Sequence, residues 1–141
     1  MRRLLLSCGL VTSTILIGCS SLRSGGETEA DCRNVATCRV QVSVKCVGAC
    51  SVAVDFDRVI GKRNGEIVWE ISNQSGQAYE FDRVRGIVFP KDSNRNFDCH
   101  VEASGGRFSC KNRGDRGDYK YTVHLVGAPA VGPLDPWVVN N

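Results

Sequence analysis

The sequence predicts an all-β fold, an antiparallel β-sandwich of seven or eight short strands of the immunoglobulin-like or cupredoxin-like kind, braced by disulfides. Three observations indicate this class. Apolar and polar residues alternate with a period of two in many short segments. Glycine, proline and asparagine turns separate these segments, and cysteines recur among them. A small β-barrel is the alternative architecture.

The first predicted hairpin joins residues 39–46 to residues 50–56. Every second residue in each segment is apolar, and most of these residues are valine, which favours strands. A turn at Gly48 matches apolar residues across the pair: Val44 with Val52, Val42 with Val54, Val40 with Phe56, and Cys46 with Cys50.

Later segments continue the pattern. Asn64-Gly65 is a favoured hairpin turn, and it precedes a strand with Ile67, Trp69 and Ile71 on one face. A second hairpin turns at Gly105. The remaining predicted strand segments are residues 79–81, 87–89, 97–101 with 108–110, 119–125 and 137–139.

Beyond residue 31 the chain has six cysteines, an even number that predicts a disulfide framework in a small exported domain. Two pairs occupy opposed positions of predicted hairpins with side chains on the same face, as a disulfide requires. Cys32 and Cys38 then remain for each other, although the sequence leaves other combinations open. The predicted disulfides are Cys32–Cys38, Cys46–Cys50 and Cys99–Cys110.

The N-terminal residues have the layout of a signal peptide, with two arginines, a short apolar run and a small residue before Cys19. The run is shorter than the roughly 20 apolar residues of a membrane-spanning helix. Leu16-Ile17-Gly18-Cys19 resembles the lipobox of bacterial lipoproteins, which implies cleavage before Cys19 and acylation of its side chain. Ser20 is compatible with export to the outer membrane in that class. An ordinary cleaved signal peptide and a retained helix are the alternatives.

These features predict three regions. Residues 1–18 are a signal peptide that is removed, and residues 19–31 are the lipidated cysteine followed by a polar, glycine-containing flexible tether. Residues 32–141 are the β-sandwich domain.

The charge pattern does not indicate a nucleic-acid-binding protein. Loss of Arg2 and Arg3 with the signal peptide lowers the formal net charge of +3 to +1, and the remaining basic residues are interleaved with acids. Loops of β-sandwiches commonly provide contacts, so basic residues in predicted loops are the candidate binding residues. They are Arg83, Arg85, Lys111, Arg113 and Arg116.

Metal binding is weakly indicated. A cupredoxin-like copper site needs two histidines, a cysteine and a weak axial ligand such as methionine. The chain has His100 and His124, but its only methionine is Met1, and both histidines fall on the polar side of predicted strands. Cys46 and Cys50 have near-finger spacing, yet an oxidising compartment favours their disulfide. We therefore expect no metal and no cofactor.

Catalysis is also weakly indicated. The sequence contains no Gly-x-Ser-x-Gly elbow. Asp55, Asp57, Glu66 and Glu70 could form a carboxylate pair, but they occupy polar strand positions where solvated acids are ordinary. The doubled Arg-Gly-Asp at residues 113–118 is interpreted as a chance glycine-aspartate turn. We expect no enzyme.

The C-terminal half carries a second resemblance. Four segments within residues 66–140 resemble small proteobacterial lipoproteins of unassigned activity: Gly86-Ile87-Val88-Phe89, Phe108-Ser109-Cys110-Lys111-Asn112, Tyr119-Lys120-Tyr121-Thr122-Val123 and Leu134-Asp135-Pro136-Trp137-Val138-Val139-Asn140. The resemblance implies a β-sandwich and an envelope setting, but no reaction. On physical grounds, Asp135-Pro136 predicts a turn into a closing edge strand, with Trp137 on the core.

The functional prediction is an envelope lipoprotein, anchored by its lipid and facing the periplasm from the outer membrane, whose domain is a non-catalytic binding module. Its expected partners are the membrane and another envelope protein. One alternative is an inhibitor or immunity-type lipoprotein directed against a hydrolase. A second alternative is a cupredoxin-like metal or redox carrier, and a third is a purely structural component of the envelope.

Overall fold

The computed structural model describes residues 28–72, 76 and 78–141. No helix within these residues is long and apolar enough to span a bilayer. The described chain contains one 3-10 helix, Asn94–Asn96, and otherwise folds into strands. The strands are β1 (Glu29–Asp31), β2 (Thr37–Val47), β3 (Ala49–Val54), β4 (Arg58–Gly61), β5 (Glu66–Ser72), β6 (Tyr79–Phe81), β7 (Ile87–Val88), β8 (Phe97–Val101), β9 (Arg107–Asn112), β10 (Gly117–Lys120), β11 (Thr122–Val123), β12 (Leu125–Gly127) and β13 (Trp137–Asn140).

The predicted all-β class is confirmed, with several sheets packed together. A five-stranded sheet has the order β3-β2-β5-β9-β8, and a four-stranded sheet has the order β1-β4-β13-β10. Two small antiparallel ribbons, β6 with β12 and β7 with β11, complete the described strands.

Both predicted hairpins form in the expected register. In the first, Val44 lies opposite Val52 and Cys46 opposite Cys50. Its ladder ends at the pair formed by Val42 and Val54, two residues short of the expected pair of Val40 and Phe56. In the second, β8 and β9 pair Cys99 with Cys110 and Val101 with Phe108. Apolar alternation and glycine turns were therefore sufficient to place these strands.

The sheets are mixed rather than purely antiparallel. Strand β2 pairs with β5 in parallel, and β4 pairs in parallel with both β1 and β13. The Asn64-Gly65 turn forms, with Asn64 at a φ of 64°. However, it does not close a hairpin, because β4 and β5 belong to different sheets. The chain crosses between the two main sheets at this point.

The core lies between the inner faces of these sheets. Three neighbouring strands of the five-stranded sheet supply Val40, Trp69 and Phe108, which lie opposite one another, and the four-stranded sheet supplies the opposed pair Val59 and Val138. Aromatic side chains contact one another within this core: Trp69 Nε1 donates a buried hydrogen bond of 3.0 Å to the Tyr121 hydroxyl oxygen, and Phe89 stacks on Phe97.

Three segments differ from the sequence-based expectation. Glu29–Asp31, placed in the flexible tether, forms β1 beside β4. The expected strand over residues 119–125 is divided among β10, β11 and β12, which pair with three different partners. Strand β13 is not an edge strand, because it lies between β4 and β10.

Candidate functional site

All three predicted disulfides are present: Cys32–Cys38, Cys46–Cys50 and Cys99–Cys110. Cys38 and Cys110 are buried in the core, whereas Cys46 is exposed. The first bond joins the segment after β1 to β2, and the other two lie within hairpins. The lipidation residue, Cys19, lies outside the described residues.

The five predicted basic contact residues are all exposed, but they divide into two groups. Arg83 and Arg85 lie in the loop between β6 and β7, where Arg83 Nη2 donates a hydrogen bond of 3.4 Å to the Ala103 carbonyl. Ala103 belongs to the turn that joins β8 and β9, so this group lies near the N-terminal end of β9.

Lys111, Arg113 and Arg116 lie at or beyond the other end of β9. A six-residue strand is about 20 Å long, so the two groups do not form one basic surface. Arg113 also forms an ion pair with Asp98 at 2.6 Å. Whether these residues bind a partner stays a prediction.

The outer face of the five-stranded sheet carries charges that neutralise one another. Glu70 accepts hydrogen bonds from Arg39 and Gln41 and forms an ion pair of 2.7 Å with Arg107. Arg107 also lies 3.5 Å from Glu102. Burial raises the pKa of the Glu70 carboxyl. The hydrogen bonds from Arg107 and Gln41 lower it by more than burial raises it, so the pKa is below its usual value. Glu70 therefore acts as an ionised bridge rather than as a proton donor.

Neither histidine belongs to a metal-type cluster. Among the described residues, no three His, Cys, Asp or Glu side chains are grouped so that they could hold a metal ion. His100 lies exposed on β8, and His124 lies between β11 and β12. Cys99 and Cys110 are bonded to each other, so neither supplies a thiolate.

Two surface concavities of the described part of the chain bear on a binding role. The larger, about 310 Å³, lies on the outer side of β2 and β3 and is lined by Gln41, Ser43, Lys45, Val54, Asp55 and Ser72. Burial raises the pKa of the Asp55 carboxyl. Its wall is mostly short or flexible polar side chains without an aromatic group, which gives it little to orient a ligand.

The smaller concavity has an aromatic wall, and we call it the Trp137 hollow. It has a volume of about 190 Å³ and is lined by Asp57, Leu134, Asp135, Pro136 and Trp137. It thus coincides with the Leu-Asp-Pro-Trp element that the sequence singled out. The expectation for Trp137 was wrong: Val138, not Trp137, faces the core.

Backbone hydrogen bonds fix the position of Trp137. Its backbone N–H donates to the Asp57 carbonyl at 2.9 Å, and the Pro136 carbonyl accepts from the Tyr121 N–H at 3.0 Å. Because neighbouring residues of a strand point to opposite faces, the completely buried Val138 directs Trp137 outward. Trp137 is accordingly only half-buried.

Asp135 provides a fixed carboxylate at the edge of the hollow. The Thr122 hydroxyl donates to its Oδ1 at 2.8 Å, and Lys120 Nζ lies 3.5 Å from its Oδ2. The hydrogen bond from Thr122 and the charge of Lys120 lower the pKa of Asp135 below its usual range. The group is therefore a hydrogen-bond acceptor and a negative charge at neutral pH.

Asp57 provides a second carboxylate with a different set of partners. Its Oδ2 accepts from the backbone N–H and hydroxyl of Thr28, both at 3.3 Å. Thr28 is neutral, and no ion pair joins Asp57 to another residue of the described chain. The neighbouring Arg58 lies 3.8 Å from Glu29 and 3.9 Å from Asp118. Within the described residues, the exposed carboxylate of Asp57 thus has hydrogen bonds from Thr28 but no ion pair.

Sequence reasoning named Asp57 among acids for a catalytic pair and assigned the Asp135–Trp137 element to structure. It did not join them, because Asp57 and Trp137 are distant in the sequence. They meet through the parallel pairing in which Arg58 lies opposite Trp137. The sequence held one sign of this. Trp137, Val138 and Val139 are consecutive apolar residues, so alternation does not show which of them faces the core.

No family model matches this chain, and a search of curated proteins found no match.

Proposed function

We propose that this chain is a non-catalytic binding module of the bacterial envelope, anchored through acylated Cys19 and facing the periplasm from the outer membrane. The lipobox-like sequence before Cys19 supports the anchor, and the disulfide framework is in keeping with an oxidising compartment. In this proposal the partner is another envelope protein.

The Trp137 hollow is the observation that carries the binding role. It joins a half-buried tryptophan to two carboxylates on a backbone that hydrogen bonds hold in place. Partly exposed tryptophans are enriched in protein contact surfaces, because they combine a large apolar area with few rotatable bonds. The hollow therefore supplies the kind of rigid aromatic contact that recognition requires.

The carboxylates support binding more than acid catalysis. A glycosidase pair needs one carboxyl with a raised pKa, so that it can protonate the leaving group near neutral pH. The pKa of Asp135 is lowered instead, by the Thr122 hydrogen bond and Lys120. This carboxyl is suited to accept hydrogen bonds and not to donate a proton.

A photocrosslinking experiment on the full-length chain in its native host tests the proposal. A benzophenone amino acid replaces Leu134 at the hollow, or replaces exposed Asn94 as the matched control. We expect a discrete crosslinked protein from position 134 that is absent from position 94 and is reduced by Trp137→Ala. The same products at both positions, or products indifferent to Trp137→Ala, would overturn the proposal.

The tip of the β2–β3 hairpin favours a second candidate function, inhibition of a hydrolase. Val47 is 94% exposed at this tip, and the adjacent Cys46–Cys50 disulfide closes the hairpin. Gly48 has a φ of 77° with open space around it. A projecting, crosslinked tip with an apolar end is suited to enter the cleft of another protein.

The same crosslinking experiment separates the two candidates. A benzophenone at position 47 should capture an envelope hydrolase if the tip is inhibitory, and Val47→Asp should then abolish inhibition of that enzyme. Capture at position 134 alone would favour the hollow and exclude the tip as the contact.

A further inference from the structure

We propose that strand β3 is a contact between two copies of this chain. In this contact the two β3 strands pair antiparallel, so that the five-stranded sheets of both copies become one continuous sheet. Strand β3 shares no residue with the lining of the Trp137 hollow, so this inference goes beyond the binding role proposed above.

One side of β3 has no partner strand. Strand β3 is the outermost strand of the five-stranded sheet and pairs only with β2. The Asp55 N–H donates to the Gln41 carbonyl at 3.1 Å, which shows which rungs of the ladder are hydrogen-bonded. Because such rungs alternate, the backbone N–H and C=O groups of Cys50, Val52 and Val54 point away from β2. Within the described part of the chain, no strand or hydrogen bond occupies that side.

The composition of β3 does not protect this edge. Proteins usually prevent pairing at an edge strand with charged side chains, prolines or a covering segment. Residues 49–54 contain neither a charged residue nor a proline. The other edge strands of the two main sheets do carry charges: Glu29 and Asp31 in β1, Asp98 in β8, and Asp118 and Lys120 in β10. Among these edges, β3 is therefore the one suited to pair with a further strand.

The sequence of β3 is complementary to itself. In an antiparallel pairing centred on Val52, this residue lies opposite its own copy, and Cys50 lies opposite Val54 of the second copy. These are the residues with outward backbone groups, so each such pair exchanges two hydrogen bonds. On the other face, Ser51 lies opposite Ala53, and both side chains are small. One strand thus supplies both sides of a two-fold symmetric contact.

The chain's own N-terminal segment is the competing occupant of this edge. Thr28 is hydrogen-bonded to Asp57, shortly beyond the end of β3, so the preceding residues start near it. Residues 19–27 include Gly25-Gly26 and no valine, isoleucine or threonine, a composition unfavourable for pairing as a strand. A second copy of β3 has a favourable one. Attachment of both copies to one membrane, as proposed above, would also raise their local concentration.

Photocrosslinking between two copies of the full-length chain tests the contact in the native host. The copies carry different epitope tags, and only one has a benzophenone amino acid in place of Ala49. Ala49 is exposed and would lie opposite Asp55 of the second copy. The matched control places the benzophenone at His100, which is exposed on the opposite edge strand. We expect a product with both tags from position 49 and none from position 100.

A pair of charge variants tests the antiparallel register. Ser51→Glu/Ala53→Glu would place like charges opposite each other in the contact, whereas Ser51→Glu/Ala53→Lys would place opposite charges at the same positions. Association of the two variants should therefore differ roughly 4-fold or more, in favour of the second. In both variants the six domain cysteines should resist alkylation without reduction, which shows that the domain still folds.

Four results would overturn the contact between copies: no product from position 49, a product only with another protein, a product only with the chain's own residues 19–27, or the same doubly tagged product from position 100. Equal yields from the two charge variants would overturn the antiparallel register. The crosslink from position 134 reports on the Trp137 hollow separately, so failure of this inference is distinguishable from failure of the binding function.

Discussion

The side-chain amides of Asn112 and Asn140 donate hydrogen bonds to each other's oxygens, at 2.6 Å and 3.0 Å. Asn112 ends β9 of the five-stranded sheet, and Asn140 ends β13 of the four-stranded sheet, so this buried pair joins the two sheets. The glycines beside it allow this closeness. A Cβ at Gly61 would lie 3.1 Å from Asn112 Nδ2, and one at Gly114 would lie 2.9 Å from Asn140 Nδ2.

Asn140→Ala should destabilise the domain by about 1–3 kcal/mol, because it leaves the buried Asn112 amide without its partner. The exposed neighbour Asn141→Ala is the control and should change the free energy of unfolding by less than about 0.5 kcal/mol. Guanidinium unfolding followed by fluorescence measures both. The Asn112→Ala/Asn140→Ala double variant should lose less than the sum of the two single losses, since the two side chains share one interaction. Additive losses would contradict the pair.

The disulfides should contribute unequally to stability. The chain-entropy model gives about 2 kcal/mol for the four-residue separation of Cys46 and Cys50 and about 3 kcal/mol for the eleven-residue separation of Cys99 and Cys110. Burial of Cys110 adds a packing loss when that pair is changed to alanine. We expect the Cys99→Ala/Cys110→Ala variant to have the lower unfolding midpoint. The reverse order would contradict the burial argument.

Alkaline pH should destabilise the domain through Tyr121. Burial raises the pKa of the Tyr121 hydroxyl above its usual range, while in the unfolded chain it is about 10. Above that pH the unfolded state releases a proton that the folded state retains, so stability falls as pH rises. The maximum contribution is about 1.4 kcal/mol per pH unit.

Absorbance at 295 nm measures tyrosinate and should show that Tyr121 ionises only when the chain unfolds. Tyr121→Phe removes the ionising group and should flatten the fall in stability above pH 10, and Tyr119→Phe, on the half-buried neighbour, is the matched control. A free titration of all tyrosines in the folded protein would contradict the assignment.

The anchor has a mass signature. Protein extracted from membranes, with thiols alkylated before any reduction, should have the mass of residues 19–141 plus acyl groups and minus six hydrogens. Cys19→Ser should abolish the acyl mass and release the protein from the membrane fraction. An unlipidated natural protein, or alkylated cysteines, would contradict the anchor or the disulfides respectively.

The sequence was informative where structure is local. Alternation and a glycine turn determine which residues of β2 and β3 face each other, and this also placed the Cys46–Cys50 bond. Alternation gives the face of a residue but not the partner of its strand. The sequence therefore could not show that β2 pairs with β5 in parallel, or that Asn64-Gly65 carries the chain between sheets.

The candidate site was harder to predict for the same reason. Asp57 and Trp137 come together only because β4 and β13 are parallel neighbours. Residues 119–125 read as one strand, since their alternation is continuous, yet three different partners divide them. Which distant strands pair depends on how the whole core packs, and the sequence of a single segment does not contain that information.

The bond between Thr28 and Asp57 has a geometric consequence for the proposed site. Thr28 is only nine positions after Cys19, and a fully extended chain of that length spans at most roughly 30 Å. Since Asp57 lines the hollow, acylation of Cys19 would confine the hollow to a shallow zone above the bilayer surface. A partner must then reach that zone, so proteins that are themselves attached to the same membrane are favoured over proteins that diffuse freely in the periplasm.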